Sequence, residues 1–194
     1  MTSKITRPLP IANRVATAGQ LVVRTRIFLD LWDFYHGPSR AAILDAMNRF
    51  PEFFRFDEHA HRFSFFVHAA ALFEKKSNTI NLCHLTKELR DADRISDQEL
   101  SEIDRLFASV AATVKGIYLI RNKALAHRAD SISFDKAFAN ASITTNNLRD
   151  LMTVALKIVN VLLGATAQNE QVFAELPLED ARAILADGFC TNFR

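Results

Sequence analysis

The sequence predicts an all-α bundle, and three observations carry that prediction. Only five Gly and five Pro occur in 194 residues, too few for an all-β chain, which needs turn residues roughly every 8 to 12 positions. Apolar residues recur at steps of three and four over long stretches, the period of a helix face. Apolar residues make up 49% and charged residues 24% of the chain, the balance of a globular fold and not of a disordered one. At roughly 150 residues per domain, the length is expected to give one domain with at most a small appendage.

The elements follow in chain order. Leu21, Phe28, Leu31 and Tyr35 share one stripe of a first helix, which Gly37-Pro38 stops. A short second helix over 39–50 ends at Pro51. A third, over 57–76, carries Phe63, Phe66, Val67, Ala70 and Phe73 on one face, widened by Phe65, Ala69 and Leu72. An apolar face that wide predicts a central or covered helix. The chain holds 16 Phe beside one Trp and two Tyr, and eight of the Phe lie between positions 50 and 73. They are assigned to packing and to a dimer interface.

Ser77-Asn78-Thr79 breaks the third helix, and a shorter helix covers 82–92. Ser96-Asp97-Gln98-Glu99 has the Ser-x-x-Glu form of a capping box, which satisfies two free amides at a helix start. The helix it opens carries Ile103, Phe107, Val110, Val114 and Ile117 at alternating steps of four and three, a seam for a near-antiparallel neighbour. A loop over 129–133 and a turn of helix near 134–139 follow. Leu148, Leu151, Ala155, Ile158 and Leu162 mark a last long helix, closed by Gly164. One more short helix follows Pro177. There is no internal repeat and no low-complexity segment.

Charge narrows the function classes. With 24 Lys and Arg against 22 Asp and Glu, the formal net charge is +2 and the pI is 8.6. A domain that coats nucleic acid has a pI above about 9, so any nucleic-acid contact is expected to be local. Cys83 and Cys190 are too few and too scattered for a disulfide framework or a four-thiolate zinc site. The start, MTSKITRPLPIANR, leads to Arg24 and Arg26 instead of an apolar signal core. No stretch approaches the roughly 18 apolar residues of a membrane span. A soluble cytoplasmic protein with reduced thiols and no membrane partner is expected.

Most catalytic classes find no support. His59, His61 and His68 lie in the Phe-rich helix, but zinc on a helix wants i, i+4 ligands and a third donor. The i, i+7 step from His61 to His68 is too long for one ion, so these are polar edges beside a phenylalanine core and no metal is expected. No Gly-x-Ser-x-Gly elbow, activated Cys, Gly-rich phosphate loop or dinucleotide turn occurs. No cofactor is expected either.

What remains is Arg121-Asn122-Lys123-Ala124-Leu125-Ala126-His127-Arg128. The seam through Val114 and Ile117, extended by steps of four and three, lands on Arg121 and Ala124. A guanidinium thus stands where an apolar residue is expected. Burying it unpaired is expensive, so Arg121 is expected to meet a carboxylate, backbone carbonyls or a bound anion. The plain structural role is a cation near a helix C-terminus, favoured by the dipole and reaching to water.

Arg-Asn-x-x-x-x-His near the end of a long helix in an all-α chain resembles the motif of the HEPN superfamily (higher eukaryotes and prokaryotes nucleotide-binding). The surrounding Ile-Arg-Asn-Lys-Ala-Leu-Ala-His-Arg-Ala-Asp is most similar to its abortive-infection, phage-defence branch. A loose Arg-to-His spacing also occurs as Arg55…His61 and Arg62…His68, but both have Phe after the Arg; only Arg121 is followed by Asn. The resemblance implies a HEPN-like bundle with a four- to six-helix, up-and-down core over about residues 15–165, flanked by short helices, with a short helix and tail over 166–194.

Many HEPN domains are metal-independent endoribonucleases whose two motifs face each other in a homodimer. The resemblance therefore implies an RNA substrate, catalytic Arg121, Asn122 and His127, and phosphate contacts from Lys123 and Arg128. It also implies a toxin or phage-defence effector; toxic members often pair with a separate antitoxin of nucleotidyltransferase type. The alternative is a non-catalytic HEPN-like dimer that binds RNA, nucleotide or a protein partner. On an ideal helix, six residues place His127 about 120° round from Arg121. One protomer then does not present both on one face unless the helix ends or bends between them, and a composite site across a homodimer resolves this.

Overall fold

The computed structural model describes residues 9–37, 40–76, 79–126 and 134–187. Among the described residues all regular structure is helical: α1 (Ile11–Phe34), α2 (Arg40–Arg49), α3 (Pro51–Leu72), α4 (Leu82–Asp91), α5 (Asp97–Ser109), α6 (Ala111–Ile120), a π-helical turn (Arg121–Ala126), α7 (Phe134–Ala141), α8 (Thr145–Ala165) and α9 (Leu176–Asp187). The predicted loop over 129–133 lies outside the described residues.

Helix α1 is the axis of the bundle and packs along α3 on one side and α8 on the other. Its buried row is Val15, Ala18, Val22, Thr25, Leu29 and Trp32, at steps of three and four. The expected stripe through Leu21 and Phe28 is the flank of that row, packed against the core but only partly buried. Both faces of α1 are apolar enough to pass as the inner one, and α3 and α8 select between them. Thr25 sits in the buried row because its hydroxyl donates to Leu21 O at 2.6 Å.

Pro51 does not merely end α2. It is the first residue of α3, where its missing N–H and fixed φ cost nothing, so α3 starts six residues before the predicted position. It also ends earlier, at Leu72. The residues predicted to widen its face, Phe65, Ala69 and Leu72, are buried together with Phe66 and Ala70, whereas Phe63 is 40% exposed. The connection to α4 is tied by Asn81, which is fully buried. Its side chain accepts from His84 N–H at 2.7 Å and donates to Lys76 O, also at 2.7 Å.

The capping box at Ser96 and Glu99 forms as expected, and a second one joins Thr144 and Asn147 at the start of α8. The helix opened by Ser96 is broken at Val110 (φ −110°, ψ 5°) into α5 and α6. Helix α8 runs through Gly164 and ends at Ala165, and its left-handed residue is Ala167 (φ 57°). Helix α9 starts beside Pro177 as expected and covers a second, smaller apolar cluster of Phe34, Tyr35, Ile43, Ala46 and Phe54.

Candidate functional site

The break at Val110 divides the predicted seam into two rows seven residues apart. Ile103, Val110 and Ile117 are buried in the main core, at 0%, 4% and 1% exposure. Leu100, Phe107 and Val114 are only partly buried, and the next position on their row is Arg121. The guanidinium thus does not interrupt the core row; it ends the more exposed one. The sequence alone merges the two rows, because from Leu100 to Ile117 every residue on either row is apolar.

Arg121 keeps helical dihedrals (φ −55°, ψ −48°) and caps α6. From there to Ala126 the backbone widens into a π turn. Single π turns are rare and frequently mark functional sites. This one packs against α3 and α7 and comprises six of the eight residues of the polar motif. The regular helix therefore does end between Arg121 and His127, the condition under which the ideal-helix angle no longer applies. His127 and Arg128 lie outside the described residues.

The Arg121 side chain is 32% exposed and meets a carboxylate, as its sequence position demands: Nη1 lies 3.4 Å from Oε1 of Glu74. Glu74, just past the end of α3, is 15% exposed and also faces Lys76 Nζ at 3.7 Å. Glu74 is the residue of this site that sequence reasoning did not identify. Its signal is the change from the apolar run Ala69–Phe73 to Glu-Lys-Lys, which puts a carboxylate at the mouth of the bundle. Asn122 and Lys123 are exposed on the π turn, open to solvent and to a ligand.

One turn before Arg121, the Tyr118 hydroxyl donates to Ala70 O at 3.3 Å. Burial, with Glu74 adding to it, pushes that phenol up to about 12, so it stays protonated. On the other side, Arg62 lies 4.1 Å from the ring centre of Phe134 at the start of α7, which draws α7 against α3. Gly116 lets the segment after α7 approach α6: a β-carbon there would stand 2.4 Å from Ile143 Cδ1.

The histidines of α3 serve other ends. His61 Nε2 lies 3.2 Å from Asp57 Oδ2, and His68 stacks edge-on against Phe28 with ring centres 5.4 Å apart. Among the described residues no three His, Cys, Asp or Glu gather as a metal set. Among them, too, no helix is long and apolar enough to cross a membrane.

Comparison with curated proteins and with solved structures finds no match. A family match does exist, over residues 11–184, from the first turn of α1 into α9, with the Arg-Asn-x-x-x-x-His motif inside it. On that match the chain belongs to the AbiU2 family of HEPN domains, within the abortive-infection branch of the superfamily.

Proposed function

We propose that the chain is a metal-independent endoribonuclease of an abortive-infection system, acting as a homodimer with a composite site. The observation that carries this reading is the π turn of Arg121–Ala126. In sequence it precedes His127, and it leaves Asn122 and Lys123 exposed beside a guanidinium that, among the described residues, meets one carboxylate at 3.4 Å.

The chemistry needs no other group. His127 takes the proton of an RNA 2′-OH, the 2′-oxygen attacks the adjacent phosphorus, and the bond to the 5′-oxygen breaks as that oxygen takes a proton from the second His127. An imidazole with a pKa near neutral suits both roles. Arg121 donates to the phosphoryl oxygens, where negative charge grows in the transition state. Asn122 orients His127 or binds the phosphate, and Lys123 and Arg128 hold neighbouring phosphates. Products carry 2′,3′-cyclic phosphate and 5′-hydroxyl ends, and DNA is inert because it lacks the 2′-OH.

The test is cleavage of single-stranded RNA by pure protein in EDTA. Arg121→Ala and His127→Ala are expected to stop cleavage while sedimentation still shows a dimer. Cleavage untouched by His127→Ala would sink the mechanism, and a monomer at micromolar concentration would sink the composite site. No cleavage at all, with ligand-dependent stabilisation on thermal melting, would establish the non-catalytic dimer instead.

A further inference from the structure

Between α4 and the α5–α6 pair lies an open cleft of about 620 Å³. Its wall is apolar and aromatic: Leu100, Phe107 and Val114, the row that leads to Arg121, together with Phe73 and Tyr118. Its rim carries four cations, Lys75, Lys87, Arg90 and Lys115, against one carboxylate, Asp104. Lys75, Lys87 and Lys115 are exposed, and no ion pair to a described carboxylate engages them, whereas Arg90 is paired with Asp91 at 2.9 Å. In a chain with a net charge of only +2, cations thus outnumber carboxylates among the residues that line this opening.

Two features join the cleft to the motif. Val114 and Tyr118, which line the cleft, and Arg121 follow one another at steps of four and three along α6, on one side of the helix. Lys75 follows Glu74, the partner of Arg121, in the chain. The cleft and the guanidinium thus adjoin along a continuous surface.

An apolar, aromatic-lined opening with a cationic rim matches a nucleotide of single-stranded RNA. Such strands are held by stacking or burying unpaired bases while cations follow the backbone. The volume is that of a small-ligand site, enough for a base and its sugar. Asp104 is the single carboxylate among the lining residues, against three exposed lysines. We propose that the cleft is a base-binding subsite for the RNA substrate: it takes an unstacked base against Phe107, Val114 and Tyr118, with Lys75, Lys87 and Lys115 on the flanking phosphates, and sets which nucleotide stands next to the phosphate at Arg121. The subsite rests on the ribonuclease reading and specifies its substrate.

The test uses the full chain and a short fluorescein-labelled single-stranded RNA in EDTA. The double variant Lys87→Glu/Lys115→Glu is expected to weaken binding at least about tenfold and to lower the salt slope by about 1.4, about 0.7 for each lost phosphate contact on a single strand. Ala111→Trp, at an exposed position on the cleft wall, is expected to weaken binding about tenfold by filling the space of one base. Ala112→Trp, exposed but outside the cleft, is expected to leave binding unchanged and to control for folding. An abasic strand is expected to bind wild type more weakly than an intact one.

RNA bound and cut by wild type, with the cleft variants indistinguishable from it, would overturn the subsite alone and leave the cleft to an acidic protein partner. Equal affinity for abasic and intact strands would overturn the base pocket. Wild type that binds no RNA would overturn the ribonuclease reading and the subsite with it.

Discussion

Arg121 Nη1 stands 3.4 Å from Glu74 Oε1, a contact that joins positions 47 residues apart. The carboxylate answers the question raised by a guanidinium on an apolar row, and it also competes with any phosphate for that guanidinium. At 3.4 Å through one nitrogen, and with Arg121 one-third exposed, the pair is an anchor that a bidentate phosphate contact would outbid.

Glu74→Gln keeps the shape of the side chain and removes its charge. A pair this open to solvent contributes about 1 kcal/mol or less, which for a chain of this size lowers Tm by roughly 2–4 °C at most. RNA affinity is expected to rise severalfold, because one negative charge leaves the phosphate site. Thermal melting and RNA titration check both. A loss of affinity as large as that of Arg121→Ala would mean that Glu74 orients the guanidinium and does not compete for it.

The need for a partner to Arg121 was legible in the sequence, but its identity was not. Periodicity reports what one helix presents, whereas Glu74 reaches Arg121 through the packing of α6 on α3. The same limit explains α1, where two apolar faces compete and only the neighbours choose. The capping box at Ser96 was legible because its whole mechanism lies within four residues.

Gly164 does not close α8 as its sequence position suggests, and the reason is local and has a consequence for stability. A glycine near a helix end signals a left-handed cap, yet Gly164 is helical and the left-handed residue is Ala167. There Gln168 N–H reaches Leu163 O at 2.9 Å and Ala167 N–H reaches Gly164 O at 3.0 Å, the two bonds of a Schellman cap. A β-carbon at Gly164 meets nothing within 4 Å. Gly164→Ala is therefore expected to stabilise by about 0.5–1 kcal/mol through helix propensity, and Ala167→Gly by up to about 1 kcal/mol through relief of the left-handed strain. Urea denaturation of each variant checks this; a destabilised Ala167→Gly would show that the strain is absent.

Gly116 is the opposite case. A β-carbon there would lie 2.4 Å from Ile143 Cδ1 and 2.8 Å from its Cγ1, and Ile143 is 6% exposed. Moving the tip of the side chain relieves only the first contact. Gly116→Ala is expected to cost about 1–3 kcal/mol of overpacking, more than the propensity gain of about 1 kcal/mol. Combined with Ile143→Ala it should cost less than the sum of the two single changes, since the cavity of one receives the methyl of the other. Strict additivity would place the strain elsewhere.

His68 sets the expected pH dependence. Its ring stands against Phe28, its Nδ1 is buried with no hydrogen-bond partner among the described residues, and burial, helped by the nearby Arg24 charge, holds its pKa below 6.5. The folded protein therefore favours the neutral imidazole, and the unfolded chain binds the extra proton first. Its contribution to stability is fully present above pH 6.5, and it is lost as pH falls from there through the lower folded value. His68→Phe removes the titration and keeps an aromatic ring against Phe28, so its stability is expected to fall less than that of wild type between pH 7 and pH 5. Denaturation curves at the two pH values measure the difference, and imidazole NMR titration reads the shift directly. A folded His68 that titrates at or above 6.5 would show that the ring is solvated and that the pH dependence arises at another group.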